Sequence, residues 1–137
     1  EISWFTKFGG VGRYYGEAIC IDQEGNGYMD GYGFGVMTEA NDTSIYSVTG
    51  PHIFIIKFDS LGTVHWIKQY GQTSYSRAHG IGCDQFLNVF YSGMFISSID
   101  LDTVHLETNY PNQFWTNSFI AKLYQKLPLT ATANQDV

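Results

Sequence analysis

The chain has 137 residues, of which 44% are hydrophobic, 17% aromatic and only 15% charged, so it can bury a core and does not have the composition of a disordered segment. Its net charge of −6, with only seven lysines and arginines, excludes the basic surface that nucleic-acid binding or docking on an anionic membrane requires. No apolar run approaches the length of a membrane span, so membrane insertion is not expected.

Four strand-like segments occupy the first half of the chain and alternate with turn signals. The predicted strands, in chain order, are Ala18–Asp22, Gly27–Tyr32, Ile53–Phe58 and Val64–Tyr70. Their connections are predicted at Gln23–Asn26, at about Thr38–Pro51 and at Asp59–Gly62. No window has the 3.6-residue period of a helix, so the segments predict an all-β fold.

The second half of the chain repeats the first at an offset of 62 residues. The matched pairs include Trp4 with Trp66, Asp22 with Asp84, Asn26 with Asn88, and Gly31 with Gly93. After the long loop the offset becomes 65, which matches Phe54 with Phe119 and Lys57 with Lys122. We therefore predict one unit over residues 1–127, made of two repeats at about 2–63 and 64–126, followed by a polar tail or linker at 128–137.

Four short strands in each repeat of this length predict two four-stranded antiparallel blades of a β-propeller. A β-sandwich is the alternative, because short strands at regular spacing fit it as well. The break between the blades is predicted near residues 71–78. Trp4 and Trp66 are predicted to occupy equivalent, buried positions.

The ordered motifs of both copies resemble a known repeat family. The first copy reads Trp4…Phe8-Gly9-Gly10, Ala18-Ile19…Asp22-x-x-Gly25-Asn26-x-Tyr28-x-x-Gly31 and Phe54-Ile55-Ile56-Lys57-Phe58-Asp59-x-x-Gly62…Trp66. The second reads Tyr70-Gly71, Asp84, Asn88-Val89-Phe90-Tyr91-x-Gly93 and Phe119-Ile120-Ala121-Lys122-Leu123. Over about residues 2–125 this set resembles the SBBP family, the bacterial β-propeller repeat. Leu87 and Gln72 depart from it, because they stand where the first copy has Gly25 and Gly10.

The resemblance implies a repeat scaffold of secreted or surface bacterial proteins, often within larger multidomain chains, with no single shared activity. It therefore implies an extracellular or cell-surface location. The implied partners are further propeller blades, in the same chain or in other subunits.

Few residues form patterns that indicate catalysis, and no catalytic residue, metal site or cofactor is predicted. Asp22 and Asp84, which recur with Asn26 and Asn88, are expected to cap their own turns rather than to bind calcium. Lys57 and Lys122 recur inside apolar strands, where such side chains usually reach solvent or pair with a carboxylate. The four histidines have neither metal-ligand spacing nor repeat equivalence.

The two cysteines are not equivalent in the repeat, since Cys20 matches Gly82 and Cys83 matches Ile21. Adjacent strand positions point to opposite faces of a sheet, so the two side chains should face different ways in their own copies. They are therefore predicted to be small buried side chains rather than a disulfide.

The best ligand-binding candidates are the residues that do not repeat. They are Tyr110, Phe114, Trp115 and Asn117, because aromatic rings can stack on sugars or anchor a protein partner while amides form hydrogen bonds. The alternative is that this segment begins the next strand and packs between blades.

Three functions compete. The favoured one is a non-enzymatic scaffold or binding module. The second is a carbohydrate-binding, lectin-like propeller assembled from several chains, which glycan-array binding together with oligomer mass would distinguish. A propeller enzyme is the least supported, because no converging acids or histidines are evident.

The order of the motifs bears on how the fold closes. The chain opens with Ile2–Phe5, which matches the fourth-strand motif Val64–Ile67, and the strand count is eight, or two blades. Because known propellers have roughly four to eight blades, closure needs either several chains in a ring or further repeats in a longer chain. The second arrangement is favoured here.

Overall fold

The computed structural model describes residues 1–39, 46–71, 75–109 and 115–123. These ranges contain nine strands and no helix: β1 (Phe8–Ile21), β2 (Gly27–Glu39), β3 (Tyr46–Phe58), β4 (Val64–Tyr70), β5 (Ser76–Cys83), β6 (Val89–Ile96), β7 (Ser98–Leu101), β8 (Val104–Glu107) and β9 (Thr116–Leu123). All described pairings are antiparallel, in a first sheet of order β1-β2-β3-β4, a second sheet of order β5-β6-β9, and a hairpin β7-β8. The all-β prediction is confirmed.

Some predicted boundaries agree with the structure and others are wrong. The first sheet ends at Tyr70 and the second begins at Ser76, within the interval predicted for the break. The predicted polar loop at Thr38–Pro51 is wrong at both ends, because β2 continues to Glu39 and β3 already begins at Tyr46.

The first hairpin is longer than predicted because of its glycine-rich arms. The predicted first strand began at Ala18, but β1 begins at Phe8 and pairs with β2 along its whole length. Gly12 lies opposite Gly35, and a Cβ on Gly12 would lie only 2.0 Å from the carbonyl oxygen of Phe34. Glycine, a poor strand former by propensity, is required here for close backbone approach.

The predicted equivalence of Trp4 and Trp66 is wrong in this structure. Residues 1–7 form no strand, and Trp4 is 42% exposed. Its indole Nε1 donates to the Ser60 carbonyl at 3.0 Å and its ring meets Phe58 edge-on. Trp66 lies in β4 and is only partly buried, beside the core. Residues 2–5 pair with no strand in the described part of the chain.

A hairpin that the sequence did not reveal follows β6. Strands β7 and β8 fall in the long connection of the second copy, and Ile99 and Leu101 from β7 are buried in the core. Asp102, at the tip, accepts hydrogen bonds from Lys68 Nζ and from the Tyr70 hydroxyl at 3.2 and 3.1 Å. These bonds attach the hairpin to β4 of the first sheet.

The two sheets pack through opposite faces of corresponding strands. Two positions are called equivalent when they differ by 62 residues, or by 65 after the long loop. On the first sheet, face A is the side that carries Cys20, Tyr28, Ile53, Ile55 and Tyr70, and face B is the side that carries Ile19, Ile21, Met29, Phe54 and Ile56. Face A contributes to the central core.

The side of the second sheet that enters this core is its own face B. It contributes Ile81, Cys83, Tyr91, Phe119 and Ala121, which are equivalent to Ile19, Ile21, Met29, Phe54 and Ile56 of the first sheet. The packing is therefore head to tail, with face A of one sheet against face B of the next. Face A of the second sheet points away from the core.

This packing explains the disulfide, which corrects the prediction of two unbridged cysteines. Cys20 and Cys83 are bonded, with their Cα atoms 5.8 Å apart. Their side chains do lie on opposite faces of their own copies, as the strand alternation predicts. Because face A of the first sheet meets face B of the second, those opposite faces lie against each other and the two sulfurs meet.

Equivalent positions in the two sheets share local irregularities. The register between the first two strands shifts between Gly16 and Ala18 in one sheet and between Ala78 and Gly80, the equivalent positions, in the other. Gly31 and Gly93 face the aromatic rings of the paired third strand. A Cβ on Gly31 would meet the Phe54 ring at 2.4 Å, and one on Gly93 would meet the Phe119 ring at 2.9 Å.

Candidate functional site

The recurring aspartates form turns. Asp22 Oδ1 accepts hydrogen bonds from the amides of residues 24 and 26 at 3.0 and 2.9 Å, and Asp84 Oδ1 accepts from the amides of residues 86 and 88 at 2.8 and 2.9 Å. The side-chain amides of Asn26 and Asn88 donate to the second oxygens. Burial raises the pKa of Asp22, but these hydrogen bonds outweigh it and leave the pKa below its usual value. The carboxylates thus hold the turns.

Leu87 does not change the turn in which it replaces the expected glycine. Gly25 has φ 82° and Leu87 has φ 64°. The amides of both residues donate to the carbonyl of the turn aspartate, at 3.1 and 3.3 Å. Side-chain and backbone bonds to the aspartate therefore hold a leucine in the left-handed region that normally favours glycine.

The recurring lysines lie over aromatic rings. Lys57 Nζ is 5.4 Å from the centre of the Tyr28 ring and Lys122 Nζ is 5.8 Å from the centre of the Phe90 ring. Lys57 is partly buried and Lys122 is exposed. Each ammonium therefore makes a cation–π contact with the neighbouring strand, a role in the scaffold.

Only half of the predicted ligand-binding residues lie within the described part of the chain. Tyr110 and Phe114 lie outside it. Trp115 is exposed just before β9, whereas Asn117 lies in β9 opposite Phe95 and is partly buried. The alternative prediction, that Phe114 and Trp115 begin the next strand and pack between blades, is wrong for Trp115, which precedes β9 and is exposed. Sugar binding by these residues stays a prediction.

The clearest candidate site is face A of the second sheet, called the outer face below. It carries Phe90, 39% exposed, and Ile120, 81% exposed. The equivalent residues of the first sheet, Tyr28 and Ile55, are fully buried because the second sheet covers them. An open groove of about 530 Å³ on this side is lined by His79, Ser92, Gly93, Ser118, Phe119 and Ile120.

The edge of the second sheet is also open within the described residues. Strand β9 is the last strand of this sheet, whereas β3, its equivalent, pairs on its far side with β4. A strand at a sheet edge presents unpaired N–H and C=O groups that can accept another strand. Sequence reasoning missed the outer face and this edge, because exposure depends on which faces and edges meet.

Asp30 is a buried carboxyl between the two sheets. Its Oδ1 accepts from the Ala18 amide at 3.0 Å, the Gly80 amide of the second sheet also donates to it, and its Oδ2 has no hydrogen-bond partner among the described groups. Burial, with a smaller effect of the Glu17 charge, raises the pKa of Asp30 from 3.8 to about 6. The interface thus contains a carboxyl that resists ionisation.

The raised pKa of Asp30 predicts that the stability of the protein depends on pH. The folded state keeps the Asp30 proton up to about pH 6, whereas the unfolded chain releases it near pH 3.8, so the stabilising contribution is complete below about pH 4 and is lost as the pH rises through 6. The loss is on the order of 3 kcal/mol. Asp30→Asn is expected to abolish this pH-dependent loss of stability and to be more stable than the wild type at neutral pH. Urea unfolding across this pH range measures both effects.

Asp22→Asn is the matched control for Asp30→Asn. Hydrogen bonds to its carboxylate lower the pKa of Asp22, so this substitution is expected to reduce stability above about pH 4. If Asp30→Asn also reduced stability at neutral pH, the ionised form of Asp30 would be needed in the interface and the prediction would be wrong.

Other site types find no support in the described residues. The described residues include no group of three or more His, Cys, Asp or Glu side chains placed to hold a metal ion. The same residues contain no helix with the length and apolar character of a membrane span. No protein-family model matches the chain, and no curated protein matches it in sequence. Membership of the SBBP family therefore stays a prediction.

Proposed function

We propose that the chain is a non-enzymatic β-propeller scaffold or binding module of a secreted or surface protein, in which the two sheets act as consecutive blades. The observation that carries this proposal is the head-to-tail packing. Face A of the first sheet meets face B of the second, and equivalent residues such as Phe54 and Phe119 lie on the same face of their own sheets.

Head-to-tail packing favours the propeller over the sandwich for a geometric reason. An interface between identical faces closes on itself once it has formed, whereas an interface between different faces leaves one of each kind free at the ends. Here the free outer face repeats the type of surface that the first sheet buries. Further sheets can therefore add in the same way until a ring of roughly four to eight blades closes.

The polar groups and the disulfide support the remaining parts of the proposal. The recurring aspartates and lysines are engaged in turns and cation–π contacts, so their recurrence reflects the scaffold rather than a reaction centre. The Cys20–Cys83 bond suits an oxidising compartment such as the cell exterior.

A chain extended by one more repeat tests this proposal. Residues 59–123 would be joined directly after Leu123, as Asp59 follows the equivalent Phe58. If the sheets are blades, the added sheet docks on the outer face, so the melting temperature rises by several degrees and amide exchange in β6 and β9 slows.

The control carries Ile120→Arg in the original second sheet of the extended chain. This exposed position tolerates arginine in the parent chain but would block docking of the added sheet, so the gain in stability should disappear. An extended chain with unchanged exchange in β6 and β9 would contradict the blade assignment and favour a sandwich.

A further inference from the structure

We propose that the outer face and the β9 edge together bind a second copy of this chain, head to tail. In this arrangement, residues 2–6 of the incoming copy pair with β9 and form the fourth strand of the second sheet. Face B of the first sheet of the incoming copy covers the outer face. The inference rests on the proposed function, and it names the occupant of the free surface.

The first argument is that the chain already contains this arrangement once. Strand β4, with Trp66, completes the first sheet, and 15 residues later Ile81 contributes to the second sheet that packs on it. The same 15 residues separate Trp4 from Ile19. A second copy can therefore place residues 2–6 on β9 and its first sheet on the outer face with a connection of the same length.

The position of Trp4 supports the same arrangement. Trp4 already contacts Phe58, on face B of its own first sheet. Trp66 packs beside the core that contains Leu123, the equivalent of Phe58 on the second sheet. Trp4 thus lies beside face B of the first sheet, while Trp66 packs beside a core to which face B of the second sheet contributes. Unlike Trp66, which pairs with Lys57 of β3, Trp4 lies in no described strand. On β9 the partner of Trp4 would be the segment around Lys122.

Exposed apolar side chains lie on both surfaces that this arrangement would bring together. Ile19 and Ile21 on face B of the first sheet are each more than half exposed, whereas their equivalents Ile81 and Cys83 pack at the central core. In the incoming copy these isoleucines would cover the outer face. Ile2 and Phe5, in the segment that would form the added strand, are exposed as well.

The segment that follows β9 is a weaker match for the fourth strand than Ile2–Phe5. In the first sheet, β3 is followed by the Asp59–Gly62 turn and then by Val64–Ile67. After Leu123 the sequence Tyr-Gln-Lys-Leu-Pro repeats neither the Asp-x-x-Gly turn nor the tryptophan, and its proline lacks the N–H that a ladder bond needs. With two sheets per copy, about two to four copies would close a ring.

The masses in solution of the wild type, of two complementary variants and of their mixture test the proposal. Wild-type chain is expected to form a discrete oligomer, while Ile120→Arg, on the outer face, and Ile19→Arg, on face B, each block one side and give monomers. Because each variant keeps one intact surface, a mixture of the two forms a dimer and nothing larger. A monomeric wild type, or a mixture that stays monomeric, would overturn the proposal.

Disulfide trapping identifies the register of the contact. Gly82 and Ile21 are equivalent to Cys20 and Cys83, so a Gly82→Cys chain mixed with an Ile21→Cys chain should form a covalent dimer under oxidising conditions. A Cβ on Gly82 meets no atom within 4 Å, so the substitution should be tolerated. Neither variant alone should cross-link above background.

The matched control replaces Ile21→Cys with Leu61→Cys, an exposed position in the β3–β4 turn. Its mixture with Gly82→Cys should give no dimer, and a dimer in equal yield would overturn the proposed register. If the extended chain described above gains stability but the mixed cysteine variants do not cross-link, the blade assignment stands and the second copy is rejected as the occupant. If both fail, the proposed function fails too.

Discussion

Replacing Cys20 and Cys83 together by alanine is expected to lower the free energy of unfolding by about 4 kcal/mol. The bond joins residues that are 63 positions apart, so it removes a large part of the conformational freedom of the unfolded chain. It also joins face A of the first sheet to face B of the second. Urea unfolding of the variant and of the oxidised wild type measures the difference.

Reduced wild-type protein is the control for this prediction. It should unfold at about the same urea concentration as the double alanine variant, since both lack the cross-link and differ only in two sulfur atoms. A variant as stable as the oxidised wild type would contradict the prediction. That result would mean that apolar contacts such as Tyr70 against Tyr91, with ring centres 5.8 Å apart, hold the sheets together without help from the bond.

Phe119→Ala is expected to cost about 3–5 kcal/mol of stability. Phe119 is only 7% exposed and lies in the central core, edge-on to Tyr91 at 5.8 Å between ring centres and close to Gly93. Removing the ring leaves a cavity beside a glycine, which has no side chain to fill it. Thermal or urea unfolding measures the loss.

Ile120→Ala is the matched control, because it removes an apolar side chain from the next residue of the same strand. Ile120 is 81% exposed on the outer face, so at low protein concentration, where that face is uncovered, its loss should be within about 0.5 kcal/mol. Equal losses for Phe119→Ala and Ile120→Ala in the dilute chain would contradict the assignment of the two faces.

The features that the sequence predicted correctly are those determined within a few residues. The turns at Asp22 and Asp84 depend on hydrogen bonds that span two to four positions, and the turn at Asp59 has the same pattern of amides donating to its carboxylate. Strand β4 was predicted with its observed bounds, Val64–Tyr70. It follows a tight turn and has a compact run of strand-forming residues.

The errors concern strands whose presence or absence the local pattern of residues does not reveal. The long glycine-rich hairpin of β1 and β2 exists because the two arms approach each other, although glycine disfavours strands by propensity. The predicted strand at Ile2–Phe5 has strand-forming residues but pairs with no strand in the described part of the chain. The hairpin of β7 and β8 is short and is attached to β4 through Asp102.

The all-β class, the turn positions and the alternation of side chains between two faces can be read from the amino-acid order, because they follow from local hydrogen bonds and from the period of a strand. Which face of one sheet packs against which face of the other depends on the packing of the whole fold. That choice joined Cys20 to Cys83 although they lie on opposite faces of their own copies. The same packing buries Tyr28 and leaves its equivalent Phe90 partly exposed. Burial depends on whether a neighbouring sheet covers the face, and the residues of one strand do not specify that neighbour.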